Sequence, residues 1–115
     1  MNKTKLTTAQ NPLEEIENLI LNIRSKQVML DRDLARLYGV ETKVLNQAVK
    51  RNIERFPECF MFQLTDNEVV KLVTICDQFR LLKHSSSLPY AFTEHGVTML
   101  ASVLKSEIAV HTPCK

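Results

Sequence analysis

The sequence predicts a single small α+β domain, and three observations carry that expectation. At 115 residues with 44% hydrophobic side chains, the chain supplies one core and has no room for a second. Its apolar positions switch repeatedly between helical spacing and short extended runs. Capping and turn residues punctuate those switches. The expected plan is two short helices joined across a glycine, short strands including a hairpin, and two further packing helices. It spans residues 13–110, between a polar flexible tail at 1–12 and a short C-terminal tail at 111–115.

Taken in order, Leu13, Ile16, Leu19 and Ile20 recur at helical spacing and lead into a strand. The apolar segments 19–23 and 28–30 flank the polar Arg24-Ser25-Lys26-Gln27, which is hairpin spacing, although Asn-Gly and Asp-Gly are missing from the turn. Asp31 reads as the N-cap of a short helix carrying Leu34, Ala35, Leu37 and Tyr38, and Gly39 closes it by accepting the left-handed backbone. A second helix starts near Thr42 and runs to about Ile53. Residues 60–64 are a short apolar strand whose Phe60 and Phe62 share a face and pack. Thr65 and Glu68 then form a capping box, opening a helix at residue 66 whose Val69, Leu72, Val73 and Cys76 share one face and carry it to about Asp77 or Phe79. Residues 80–88 read as a flexible loop and 88–92 as an extended segment. Thr93 caps a last helix with Val97, Leu100, Ala101 and Leu104 on its core face, and Ser106 offers a further cap.

The formal net charge of +2 conceals a concentration. Between residues 24 and 55, Arg24, Lys26, Arg32, Arg36, Lys43, Lys50, Arg51 and Arg55 face only Asp31, Asp33, Glu41 and Glu54, a local +4 flanked by two slightly acidic segments. Two short helices joined across a glycine, the second one basic, is the pattern of a helix-turn-helix, whose second helix enters the DNA major groove. At about 100° per residue from Lys43, the residues Asn46, Lys50, Gln47 and Arg51 fall between about −60° and +80°. By the same count Val44, Ala48, Leu45, Val49 and Ile53 fall between about +100° and +280°. The polar face therefore carries only Lys, Arg, Asn and Gln, the side chains that reach base edges and phosphates. Leu34, Ala35, Val40, Leu45 and Ala48 have the sizes needed where the helices pack.

The runs Ile23-Arg24, Val28-Met29-Leu30-Asp31, Asp33-Leu34-Ala35, Leu37-Tyr38-Gly39-Val40, Leu45-Asn46, Val49-Lys50-Arg51-Asn52, Arg55-Phe56-Pro57, 60–65 and 88–100 resemble the KilA-N superfamily, and within it the phage branch named for an "ORF six" N-terminal domain. The match covers roughly residues 17–110 in order. The resemblance implies a small α+β DNA-binding domain of phage antirepressors and prophage regulators. Members run on past the last matching helix, so an oligomerisation or effector element normally located there is expected to be missing from a chain ending at Lys115.

The expected partner is double-stranded DNA, read in the major groove by helix 42–53 of a phage- or prophage-type antirepressor or transcriptional regulator. Candidate contact residues are Thr42, Lys43, Asn46, Gln47, Lys50 and Arg51, with Arg55 beyond the helix and Arg24 and Lys26 in a hairpin turn beside it. The alternative is a protein-interaction module of an antirepressor that binds a repressor instead of DNA. A homodimer would suit paired half-sites.

No catalytic residues, cofactor, metal or small-molecule substrate is expected. The two glycines, Gly39 and Gly96, are too far apart for a Gly-rich phosphate loop. Cys59, Cys76 and Cys114 are odd in number and fit neither a disulfide framework nor a zinc knuckle, and His84, His95 and His111 are scattered. Glu94 and His95 point about 100° apart on a helix and do not converge. Cys59 lacks a base and reads as a small core or edge residue, and Asp31 and Asp33 read as helix-start charges. With no apolar run long enough to span a membrane and no secretory signal, the protein is expected in the bacterial cytosol or nucleoid.

Overall fold

The computed structural model describes residues 12–75 and 87–111. Helix α1 (Pro12–Leu19) leads into the hairpin of β1 (Leu21–Ile23) and β2 (Lys26–Leu30). The hairpin turn is tighter than its sequence suggests. Ile23 pairs with Lys26, leaving only Arg24 and Ser25 in the turn, both at positive φ of 55° and 63°. A two-residue turn needs that backbone to match the strands' twist, and side chains other than glycine or asparagine adopt it under strain. Lys26 and Gln27, expected in the turn, are strand residues.

Helix α2 (Asp31–Tyr38) follows β2 directly, and α3 (Thr42–Arg51) follows after a turn. Gly39, at φ 70°, closes α2 as expected. Its N–H donates to the Arg36 carbonyl and that of Val40 to the Ala35 carbonyl, satisfying two otherwise unpaired helix-end acceptors. Asp31 is not the N-cap: the helix starts on it, after an extended Leu30 that supplies no side-chain cap. α3 ends at Arg51, and a single 3₁₀ turn, Ile53–Arg55, follows, so the helix is shorter than the expected run to Ile53.

Strands β3 (Met61–Gln63) and β4 (Tyr90–Thr93) complete a four-stranded antiparallel sheet in the order β1-β2-β4-β3. β4 thus inserts between the hairpin and β3. The register pairs Met29 with Phe92 and Phe92 with Met61, while Leu30 pairs with Ala91 and Ala91 with Phe62. Strand alternation sends these two rows to opposite faces. One face builds a core of Met29, Met61 and Phe92 with Leu34 and Ala35 of α2, Leu45, Ala48 and Val49 of α3, and Leu100, Val103 and Leu104 of α5 (Glu94–His111). Phe56 closes that core edge-on against Phe92, with ring centroids 6.0 Å apart. The other face packs Ile23, Val28, Leu30, Phe62 and Ala91 against Leu64 and Val69, the latter from α4 (Asp66–Ile75). The core therefore has two halves with the sheet between them.

α4 opens with the expected capping box: the Thr65 N–H donates to Glu68 Oε1 at 2.8 Å and the Glu68 N–H to Thr65 Oγ1 at 3.2 Å. The expected end of this helix, with Cys76, and most of the expected loop at 80–88 lie outside the described residues, as do residues 1–11 and 112–115. Pro12 and His111, assigned to the tails, belong to helices.

Thr93 caps α5, accepting the Gly96 N–H at 3.4 Å while its hydroxyl donates to the Cys59 carbonyl at 2.8 Å. α5 runs unbroken through Ser106, which starts no new helix. Gly96 has a packing reason to be glycine: a Cβ there would lie 1.9 Å from the Phe60 carbonyl oxygen. Phe60 precedes β3 and stacks on His95 at 5.7 Å, apart from Phe62, so the expected aromatic pair on one strand face does not form.

Candidate nucleic-acid interface

A buried carboxylate ties the helix pair together and to the sheet. Asp31 is 4% exposed, and its Oδ2 accepts from Asn46 Nδ2 of α3 at 3.1 Å and from the Tyr90 N–H of β4 at 3.3 Å. Its Oδ1 accepts the Arg32 N–H at 2.7 Å. The first residue of α2 thereby holds the middle of α3 and the start of β4. Burial raises the Asp31 carboxyl above the usual carboxylate range, against the hydrogen bonds from Asn46, Tyr90 and Arg32, which pull it down. Asp33 is also buried and raised, by desolvation first, with Arg32 and Arg36 near its Oδ1 at 3.8 and 3.6 Å opposing the shift. Its Oδ2 is buried with no hydrogen-bond partner among the described residues. Both acids stand in the first turn of α2, as expected, and are buried there.

Asn46, expected to face a duplex, is half-buried and donates to Asp31, which ties the middle of α3 to the start of α2. Thr42, at the helix start, is half-buried. Lys43, Gln47, Lys50 and Arg51 are exposed together on one face. Leu45, Ala48 and Val49 are buried on the opposite face, as the angular pattern predicts. Among the described residues Lys43 and Lys50 enter no ion pair. Arg51 does: its Nη2 lies 2.6 Å from Glu107 Oε1 and its Nε donates to Oε2 at 3.3 Å, tying the end of α3 to α5. Asn52 joins the same carboxylate at 3.5 Å and donates to the Ala48 carbonyl at 2.8 Å. Arg55 is exposed in the 3₁₀ turn.

Two apolar residues depart from the expected core face. Val44 is 44% exposed and Ile53 51% exposed, with Leu37 and Tyr38 also uncovered at the end of α2. Val44 sits at the margin of the apolar arc, and the core beneath α3 is already filled by Leu45, Ala48 and Val49.

The hairpin is not a neighbour of α3. The Arg24 guanidinium lies 4.2 Å over the Phe62 ring, on the α4 side of the sheet, opposite the face that α3 covers. There its Nε donates to Glu68 Oε2 at 2.7 Å and its Nη2 to Oε1 at 3.0 Å, and Nη2 also reaches the Gln63 carbonyl at 3.3 Å. Chiefly through this pair, the Glu68 carboxyl drops to about 2. Arg24 thus braces α4 against the hairpin. Lys26 is exposed and lines a cleft with Arg24, Glu58, Cys59 and Phe62, in which Cys59 is exposed and not a core residue. These long-range ties, between residues 44 and 56 positions apart, leave no trace in local spacing.

Among the described residues, no three His, Cys, Asp or Glu side chains come together as metal ligands, and no helix is long and apolar enough to cross a membrane.

A family model of the ORF6N domain matches residues 18–103. Comparisons with curated proteins and with solved structures find no match. The matched span runs from the end of α1 through the hairpin, the helix pair, the sheet and most of α5. It therefore takes in both halves of the core, and this chain belongs to the ORF6N family of phage-type domains.

Proposed function

We propose that the domain binds double-stranded DNA by placing the exposed face of α3 in the major groove, with α2 and α3 acting as a helix-turn-helix. It would serve a phage- or prophage-type regulator, an antirepressor or transcriptional regulator working in the bacterial cytosol or nucleoid. The observation that carries this reading is the composition of that face: Lys43, Gln47, Lys50 and Arg51 stand exposed with no carboxylate of α3 among them, and the two lysines enter no ion pair among the described residues. An ordinary solvated helix face interleaves both signs. Lys43 and Lys50 suit phosphates, Gln47 suits a base edge, and Arg51 exchanges Glu107 for a phosphate when DNA is present. The role of Asn46 is to fix the angle of α3 through Asp31. No chemical step on the DNA is assigned, and Arg24 and Lys26 stay outside the interface.

The test is the double variant Lys43→Glu/Lys50→Glu on mixed-sequence duplex at low salt. Both side chains are exposed and free of ion pairs among the described residues, so the thermal melt should stay near wild type. Binding should fall by more than about tenfold; wild-type affinity in the folded variant would sink the assignment.

A second reading, a module that binds a repressor protein, is favoured by the uncovered Leu37, Tyr38 and Ile53. It requires protein-partner binding that barely responds to salt, together with absent duplex binding.

A further inference from the structure

Building on the DNA-binding proposal, we infer that Val44 is a base-reading residue and that, with Gln47, it selects A·T pairs at the centre of the site. Val44, Gln47 and Arg51 follow one another at i, i+3 and i+7, so they form one line along α3. Val44 is 44% exposed, Gln47 is exposed beside it, and Lys43 flanks them. Val44 leaves much of an apolar side chain in water, and the core beneath α3 is already closed by Leu45, Ala48 and Val49. In a major groove it has a partner. Thymine's 5-methyl group is the apolar feature that groove displays, and an adjacent adenine offers N6 and N7 to a glutamine amide. The positive charge of Lys43 and Lys50 suits the phosphates that bring such a groove against this face. Asn46, the other amide on the helix, is held by Asp31 and leaves Gln47 as the amide available for base pairing.

The experiment uses the full chain and duplexes selected from a random pool. The selected site should contain an A·T pair contacted through Gln47 and a thymine at an adjacent pair. Replacing that thymine by uracil, which lacks only the methyl group, should weaken wild-type binding about fourfold, the worth of one buried methyl-sized group. Val44→Ala should bind the thymine and uracil duplexes alike, and Gln47→Ala should relax the preference at its pair while retaining salt-dependent binding. Equal wild-type affinity for thymine and uracil duplexes, or discrimination that survives in Val44→Ala, overturns the inference and leaves DNA binding standing. If no duplex is bound at low salt, the DNA-binding proposal fails and this inference with it.

Discussion

The two faces of the sheet differ in where they keep their acids. On the α4 side the ionic device is at the surface: Arg24 grips Glu68 from a strained turn, and the carboxyl drops to about 2. On the α3 side a surface pair of Arg51 and Glu107 also forms, but two further acids, Asp31 and Asp33, are buried, and desolvation raises both. The difference matches the tasks proposed for the two sides. Acids buried beneath the helix pair are withdrawn from a surface that would face phosphates, while the hydrogen bonds of Asp31 still hold α3. The α4 side keeps its carboxylate outside as a brace.

The largest expected effect comes from forcing the α3 and α5 half apart. Gly96→Ala places a methyl group against the Phe60 carbonyl, which is pinned by the Thr93 N–H at 2.9 Å and cannot retreat cheaply. Overpacking of this kind should cost about 3 kcal/mol, measured by urea denaturation, and an unchanged midpoint would show that α5 does not approach β3 so closely. Next is Asp31→Ala, which leaves the Asn46 amide and the Tyr90 N–H without their acceptor. The expected loss is about 1–3 kcal/mol, with weaker DNA binding measured under conditions where the variant is still folded. Full retention of both stability and affinity would deny Asp31 its positioning role.

On the other side the sign reverses. Ser25→Gly keeps the turn, relieves a side chain held at φ 63°, and leaves Arg24 on Glu68. It should stabilise by about 1 kcal/mol, raising the melting temperature by a few degrees. A lowered melting temperature would mean that Ser25 does more than occupy the turn.

The smallest effects are in pH dependence, where the two faces should separate. Because Glu68 is lowered, its contribution is present above its unfolded value of about 4.5 and is lost as pH falls toward about 2. Asp31 and Asp33 are raised, so in the interval above their unfolded values the native state binds the extra protons. Their share of stability therefore grows as pH falls through that interval. Melting curves against pH should show Glu68→Gln losing less on acidification than wild type and Asp31→Asn gaining less. The same profile in both variants would erase the contrast.

The helix pair is readable in the sequence because its signals are local. The angular separation on α3, Gly39 at the turn and the Thr65–Glu68 capping box all act within a few residues; the structure has the last two, and of the first it keeps Leu45, Ala48 and Val49 buried while Val44 and Ile53 are exposed. What the sequence hides is tertiary. No spacing rule reveals that Asn46 is taken by Asp31, Arg51 by Glu107 and Arg24 by Glu68, because those partners are 15, 56 and 44 positions away. Residue type shows which side chains are able to meet DNA; only packing separates Lys43, Gln47 and Lys50, which stay exposed on α3, from Asn46 and Arg24, which are occupied. The hairpin turn departs from its expected length for a related reason. Arg24 and Ser25 are poor turn formers by propensity, and a tertiary clamp on Arg24 supports a backbone that its own chemistry disfavours.

The central claim is that the exposed face of α3 meets phosphates, and the salt dependence of duplex binding tests it most directly. The logarithm of the wild-type affinity should fall linearly with the logarithm of salt concentration. Lys43→Ala/Lys50→Ala should make that slope shallower by about two, at roughly 0.9 for each phosphate that a lysine no longer neutralises. A wild-type affinity indifferent to salt, or a slope unchanged in the double variant, would contradict the account.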